Sequence, residues 1–92
     1  MRFTWTATKR RINLAKHGLD FADAKKVFAG PMVLFEDKRT DYGEQRMIGV
    51  GLLGDLAVLI VHVESDTTIH VISMRKADHH ETNLFYQSAG HF

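Results

Sequence analysis

Cysteine is absent from the 92 residues, which excludes disulfides, thiolate metal sites and a cysteine nucleophile. Proline occurs once, at Pro31, and no linker, internal repeat or low-complexity tract is visible. A chain of this length fits one small domain, taken as 1–92. No apolar run approaches the roughly 18 residues of a membrane span. The opening MRFTWTATKRR lacks the apolar segment of a signal peptide. The expected setting is the cytoplasm, with no membrane partner. Net charge is also slight, +1 from 12 Lys and Arg against 11 Asp and Glu, and does not by itself mark a nucleic-acid binder. Its distribution says more. Lys9, Arg10, Arg11 and Lys16 sit together, whereas the acids are spread through the middle. A basic face on a nearly neutral protein points to a polyanion; an ordinary solvated helix face is the competing explanation.

What is present is an orderly alternation of elements. Residues 2–5 read as a short strand. A helix is predicted from Ala7 to His17, capped by Thr6 and stopped by Gly18, with Lys16 and His17 suiting its negative end. Asp20 begins a second helix, with Asp23 at the third position of a capping box and Leu19 stapled onto Ala24. Phe21, Ala24, Val27 and Phe28 form its apolar stripe, and Gly30-Pro31 ends it. Strands follow at Met32–Phe35, Gln45–Leu52, 55–63 and 68–74, with a polar loop EDKRTDYGEQ after the first. Asp78 starts a last helix, with Glu81 at its third position, running to about Ser88. The order β-α-α-β-β-β-β-α predicts an α+β fold. It has two N-terminal helices, a central, mainly antiparallel sheet of four to five strands, and a C-terminal helix.

The stretch from Asp55 to Lys76 is unusual for a core hairpin. His62 interrupts its first strand and His70 its second, and Arg75 and Lys76 close it. A turn at Ser65-Asp66-Thr67 puts His62 opposite His70, with Cβ atoms about 5 Å apart. A two-residue turn at Ser65-Asp66 puts the histidines on opposite faces. The sequence suits either. Arg75 lies five residues beyond His70, so the two share a face only past the last ladder pair or after a bulge. RNA cleavage without a metal needs a base for the 2′-hydroxyl, an acid for the leaving oxygen and cations for the phosphorane. Histidine serves as base or acid near neutral pH, arginine offers a fork of donors to phosphate, and Lys76 adds a compact charge. A strand histidine also has an ordinary explanation as a satisfied, partly buried residue.

Other residues invite weaker readings. Arg46 could reach the face of the hairpin cations or pair with Glu44. Glu81 could orient a cation or act as a base, although helix capping accounts for it. Tyr86 could donate a hydrogen bond to phosphate or pack. His79-His80 lacks the H-E-x-x-H spacing of a helix zinc site. No Gly-rich phosphate loop, nucleophile elbow or acidic metal cluster occurs, so neither metal nor cofactor is expected.

Several segments resemble the BrnT family of type II toxins. They are Trp5, Asn13-Leu14-Ala15-Lys16-His17-Gly18, Leu19-Asp20-Phe21-Ala22-Asp23-Ala24, Val27-Phe28, Gly43-Glu44-Gln45-Arg46, Val61-His62-Val63-Glu64, and Ile69 through Ala77. The match runs from Phe3 to Tyr86. The resemblance implies a RelE-like fold and a metal-independent ribonuclease that halts translation. It also implies inhibition by a BrnA-type antitoxin that carries the DNA-binding part, so that operator DNA is met only through the antitoxin. It assigns Arg46, His70, Arg75 and Lys76 to catalytic or RNA-contact positions. His62, Glu81 and Tyr86 complete the candidate set as substrate-binding residues. His70 stands where the family usually has Arg, so the permanent charge is replaced by a group that binds phosphate when protonated or serves as acid or base. Thr6 replaces the usual Asp after Trp5 and still caps. A non-catalytic module that only holds RNA or an antitoxin is the alternative. A direct DNA-binding regulator is weaker, for want of a helix-turn-helix turn.

Overall fold

A computed structural model describes residues 1–89. The chain forms β1 (Arg2–Thr4), α1 (Ala7–His17), a 3-10 turn at Phe21–Asp23, α2 (Ala24–Phe28), β2 (Met32–Glu36), β3 (Met47–Leu53), β4 (Leu56–Glu64), β5 (Thr68–Lys76) and α3 (His79–Ala89). The sheet has five strands in the order β1-β5-β4-β3-β2. It is antiparallel from β2 to β5, while β1 pairs parallel to β5, matching Thr4 with His70. The expected α+β architecture holds, with one parallel edge. No helix among the described residues is long and apolar enough to cross a membrane.

Local chemistry sets the boundaries. The Thr6 hydroxyl accepts from the Lys9 amide at 3.2 Å, and Gly18, at φ 70°, closes α1 in the left-handed region. The second helix is not continuous from Asp20. Asp20 accepts from the Ala22 amide at 3.0 Å and caps a 3-10 turn. The Asp23 amide bonds back three residues to the Asp20 carbonyl at 3.0 Å, so this first turn is 3-10 and only Ala24–Phe28 is α-helical. At α3 the capping box forms as expected. Asp78 accepts from the Glu81 amide at 2.7 Å, and Glu81 accepts from the Asp78 amide at 2.9 Å.

Each face of the sheet carries a core. On the α2 face, Val58 and Ile60 of β4 and Val71 and Met74 of β5 bury against Phe21, Ala24 and Val27. On the α3 face, Ile48, Val50, Leu59 and Val61 bury with Ala77 and Phe85. The sparse pattern of β3 has a packing reason. A Cβ on Gly51 would lie 2.8 Å from Val27 Cγ1 and 3.3 Å from the Pro31 carbonyl oxygen, so glycine lets α2 close onto the sheet.

The hairpin register matches neither anticipated turn. Glu64 pairs with Ile69, Val63 with His70 and His62 with Val71, and the Ser65 amide donates to the Thr68 carbonyl at 2.9 Å, so the chain reverses over Asp66-Thr67, with the Ser65 hydroxyl also accepting from the Thr68 amide. A bulge follows, because Val61 pairs with Ser73 and Ile72 is left over on β5. An extra residue reverses the alternation of side chains. His70, Ser73 and Arg75 therefore share the α3 face, with Arg75 paired to Leu59. His62 and Lys76, paired to Val71 and Val58, belong to the other face.

Where β1 stops, α1 takes over the edge of β5. The buried Asn13 side chain donates to the Met74 carbonyl at 2.8 Å and accepts from the Met74 amide at 3.1 Å. One side-chain amide thus supplies the two bonds that a further strand residue would make.

Candidate active site

The α3 face of β5 lies between two walls. α1 runs along the β5 edge, whereas α3 packs over β2 and β3. Between them His70, Ile72, Ser73 and Arg75 remain partly exposed. Two of the four residues expected to be catalytic, His70 and Arg75, stand on this trough's floor.

His70 is held from behind. Its Nδ1 lies 2.8 Å from the Thr4 hydroxyl, a contact made possible by the parallel pairing of β1. Its Nε2 has no protein partner and is not a buried orphan among the described residues, so it meets solvent in the trough. Arg46 reaches the same face from β3. The Asp37 amide donates to the Arg46 carbonyl at 2.7 Å, carrying the ladder one residue past Met47. Continuing the Met47–His62 register by one puts Arg46 beside Val63, the partner of His70. Two strand spacings, about 10 Å, then separate the Arg46 and His70 backbones. The Arg46 guanidinium stacks 4.0 Å from the Tyr42 ring centroid, and its Nε is 3.5 Å from Glu44 Oε1, outside hydrogen-bonding geometry. Arg46 thus keeps Glu44 as its nearest carboxylate, as the pairing reading expected.

Arg75 sits four ladder steps from His70, about 13 Å along the strand. Its Nη1 and Nη2 donate to the two Glu81 oxygens at 2.8 Å, and Nη1 also donates to the Lys76 carbonyl at 3.2 Å. Among the described residues, three of its five N–H groups are used. The remaining pair, on Nε and Nη2, forms the side-on fork that fits a phosphate. Arg10 and Arg39 differ, because Asp20 and Asp37 occupy their Nε and Nη2 donors. The bond from Arg75, then the Asp78 amide, holds the Glu81 carboxyl below its ordinary value, and Glu81 in turn raises Arg75.

Glu81 therefore combines two of the three roles weighed for it, capping α3 and orienting a cation. Tyr86 is exposed on α3, edge-to-face with the buried Phe85 at 5.2 Å. His62 leaves the candidate set. It is fully buried on the α2 face, edge-on to Phe28 at 4.9 Å, with Nδ1 3.2 Å from the Ile60 carbonyl oxygen and Nε2 3.0 Å from Glu64. It is a core histidine with a polar neighbour at each ring nitrogen. Lys76, exposed at the end of β5, points to the face opposite Arg75. Thr4, Ser73 and Tyr42 were not anticipated. Each reaches the site through strand pairing or loop closure, for which the sequence carries no local signal. Among the described residues no group of three His, Asp or Glu is gathered as a metal ligand set.

The fold and the trough define a small α+β protein with a histidine and an arginine on one open sheet face. The family profile described as the ribonuclease toxin BrnT of type II toxin-antitoxin systems matches residues 5–81, and the chain belongs to that family. The Brucella abortus ribonuclease toxin BrnT, known from a 1.1 Å crystal structure, is 32% identical, with a TM-score of 0.69 over 85% of this chain and 97% of that one. No curated protein matches.

Proposed function

We propose that the chain is a metal-independent endoribonuclease that inhibits translation and is neutralised by a BrnA-type antitoxin, with a RelE-like active site on the α3 face. The observation that carries the reading is the side-on fork of Arg75, without a partner among the described residues, on the same face as the solvent-facing Nε2 of His70. In this reading RNA lies along the trough. Arg75 and Arg46 hold phosphates, and His70 Nε2 exchanges a proton with the 2′-hydroxyl or the leaving 5′-oxygen. Thr4 fixes the ring from the other side. Glu81 keeps the guanidinium of Arg75 aimed rather than acting as a base, since both its oxygens are engaged. Tyr86 lies outside the trough's floor and Lys76 on the reverse face, so both are secondary contacts at most.

The test is expression with and without the antitoxin, followed by cleavage of total RNA in the presence of a chelator. Growth arrest relieved by the antitoxin, chelator-resistant cleavage, and loss of both in the His70→Ala/Arg75→Ala double variant are expected. Unchanged cleavage by that variant rejects the site. The alternative, a binding module without catalysis, follows from the resemblance, which leads one to expect arginine where His70 stands. Tight RNA binding with no cleavage at high protein concentration would select it.

A further inference from the structure

The α1–β5 groove has no role in the reading above, yet it opens onto the same trough. Its volume is about 370 Å³, and Lys9, Ile12, Lys16 and His17 of α1 face Ile72 and Ser73 of β5 across it. Sequence spacing accounts for the arrangement. Lys9, Asn13 and Lys16 follow one another at i, i+4 and i+7, one face of a helix. The Asn13 amide pins that face against Met74. Lys9 and Lys16 are thereby set on either side of the pin, about 10 Å apart along the axis.

The charge of the groove is one-sided. α1 contains no acidic residue, no carboxylate lines the groove, and neither lysine meets one among the described residues. Arg10 is the cation of α1 that is neutralised, by Asp20 on another side. Between the lysines the wall is apolar. Ile12 is 56% exposed, and Ile72, the extra residue of the bulge, opposes it. Ser73 contributes a hydroxyl and lies between His70 and Arg75 on their own face.

We infer that this groove is a nucleotide subsite for single-stranded RNA, holding the nucleotide next to the one at the His70–Arg75 trough. The inference rests on the ribonuclease reading. Two separated cations suit successive phosphates, the isoleucine walls suit the flat face of a base, and the Ser73 hydroxyl suits a sugar or base edge. An acidic protein segment would also meet the lysines. Continuity with the trough favours RNA, because the bulge that turns His70 and Arg75 to one face also puts Ile72 and Ser73 in the groove.

The test uses the exposed pair Lys9→Gln/Lys16→Gln, with a thermal melt to verify folding. The probe is a fluorescent single-stranded 2′-O-methyl RNA decamer, which lacks the attacking hydroxyl. Loss of two phosphate contacts should lower the slope of log affinity against log salt by about 1.4 and weaken binding several-fold. With unmodified decamer, kcat/KM should fall mainly through KM. An unchanged affinity and salt slope overturns the subsite, even if the wild type cleaves RNA. If the wild type cleaves nothing, the ribonuclease reading fails, and the salt slope still decides the groove. RNA binding unchanged while antitoxin affinity drops would make the groove a protein dock and also overturn the inference.

Discussion

Asn13 of α1 and the backbone of Met74 are joined by two hydrogen bonds across 61 residues of chain. The pairing closes the edge of β5 where β1 ends and sets the position of α1 against the strand that carries His70, Ser73 and Arg75.

Replacing Asn13 with Ala leaves a buried N–H and a buried C=O without partners. The expected loss is about 1–3 kcal/mol, which lowers the melting temperature of a domain this size by roughly 4–8 °C per kcal/mol. Asp at the same position keeps an acceptor for the Met74 amide but sets a carboxylate against the Met74 carbonyl. It should melt no higher than the Ala variant. A thermal melt of Asn13→Ala within a degree of wild type, on this scale, would contradict the strand-mimic role.

His70 is presented by Thr4 at 2.8 Å. Removing a general acid or base costs on the order of 10²–10⁴ in rate, so His70→Ala should lose at least the lower figure in cleavage of a defined RNA. Thr4→Val keeps the shape and removes the hydroxyl. One lost hydrogen bond of about 1 kcal/mol predicts a several-fold fall in kcat, and Thr4→Ser should recover most of it. Equal activity in all three Thr4 proteins would mean that Thr4 does not position the ring.

Glu81 is expected to govern part of the acid limb of stability. Its folded value lies below the ordinary one, principally through Arg75. The stabilisation is therefore present above its unfolded value and lost as pH falls through the folded one. Asp20, lowered to about 2 by Arg10 and the Ala22 amide, acts in the same sense and further down, and Asp37 is lowered by Arg39 in the same direction. Urea midpoints should hold steady at neutral pH and decline progressively below about pH 4.5. Glu81→Gln should be less stable than wild type at neutral pH and show a smaller decline on acidification. Parallel curves for the two proteins would show that the Arg75–Glu81 pair is not coupled to folding.

Much of this fold was legible because local chemistry decides it. Thr6, Gly18 and Asp78 cap or stop helices by bonds within four residues, and the strands after Pro31 are marked by apolar runs and turns. The second helix begins later than its cap suggests, because an i→i−3 bond from the Asp23 amide makes the first turn 3-10. The site was legible only in part. His70, Arg75, Arg46 and Glu81 stand out as polar groups in unusual places, but which face each occupies depends on the leftover Ile72. A one-residue bulge leaves no trace in hydropathy. Thr4 and Asn13 were invisible as site builders for a related reason, because their partners lie more than 60 residues away.

The bulge also separates the two hairpin histidines, and this gives a contrast that one pair of variants can test. His62 is enclosed by Phe28 on the α2 face, and both its ring nitrogens have partners. Truncation to Ala opens a cavity beneath α2 and strands the Glu64 and Ile60 acceptors. A loss of about 2–4 kcal/mol is expected from a large-to-small core change, read from urea midpoints. Cleavage per folded molecule, measured well below the lowered melting temperature, should stay at the wild-type level, since the whole sheet lies between His62 and the trough. His70→Ala should do the reverse, with stability nearly kept and cleavage lost. A His62→Ala protein with wild-type stability and lost cleavage would require the register of β4 against β5 to be the three-residue turn, with both histidines on one face.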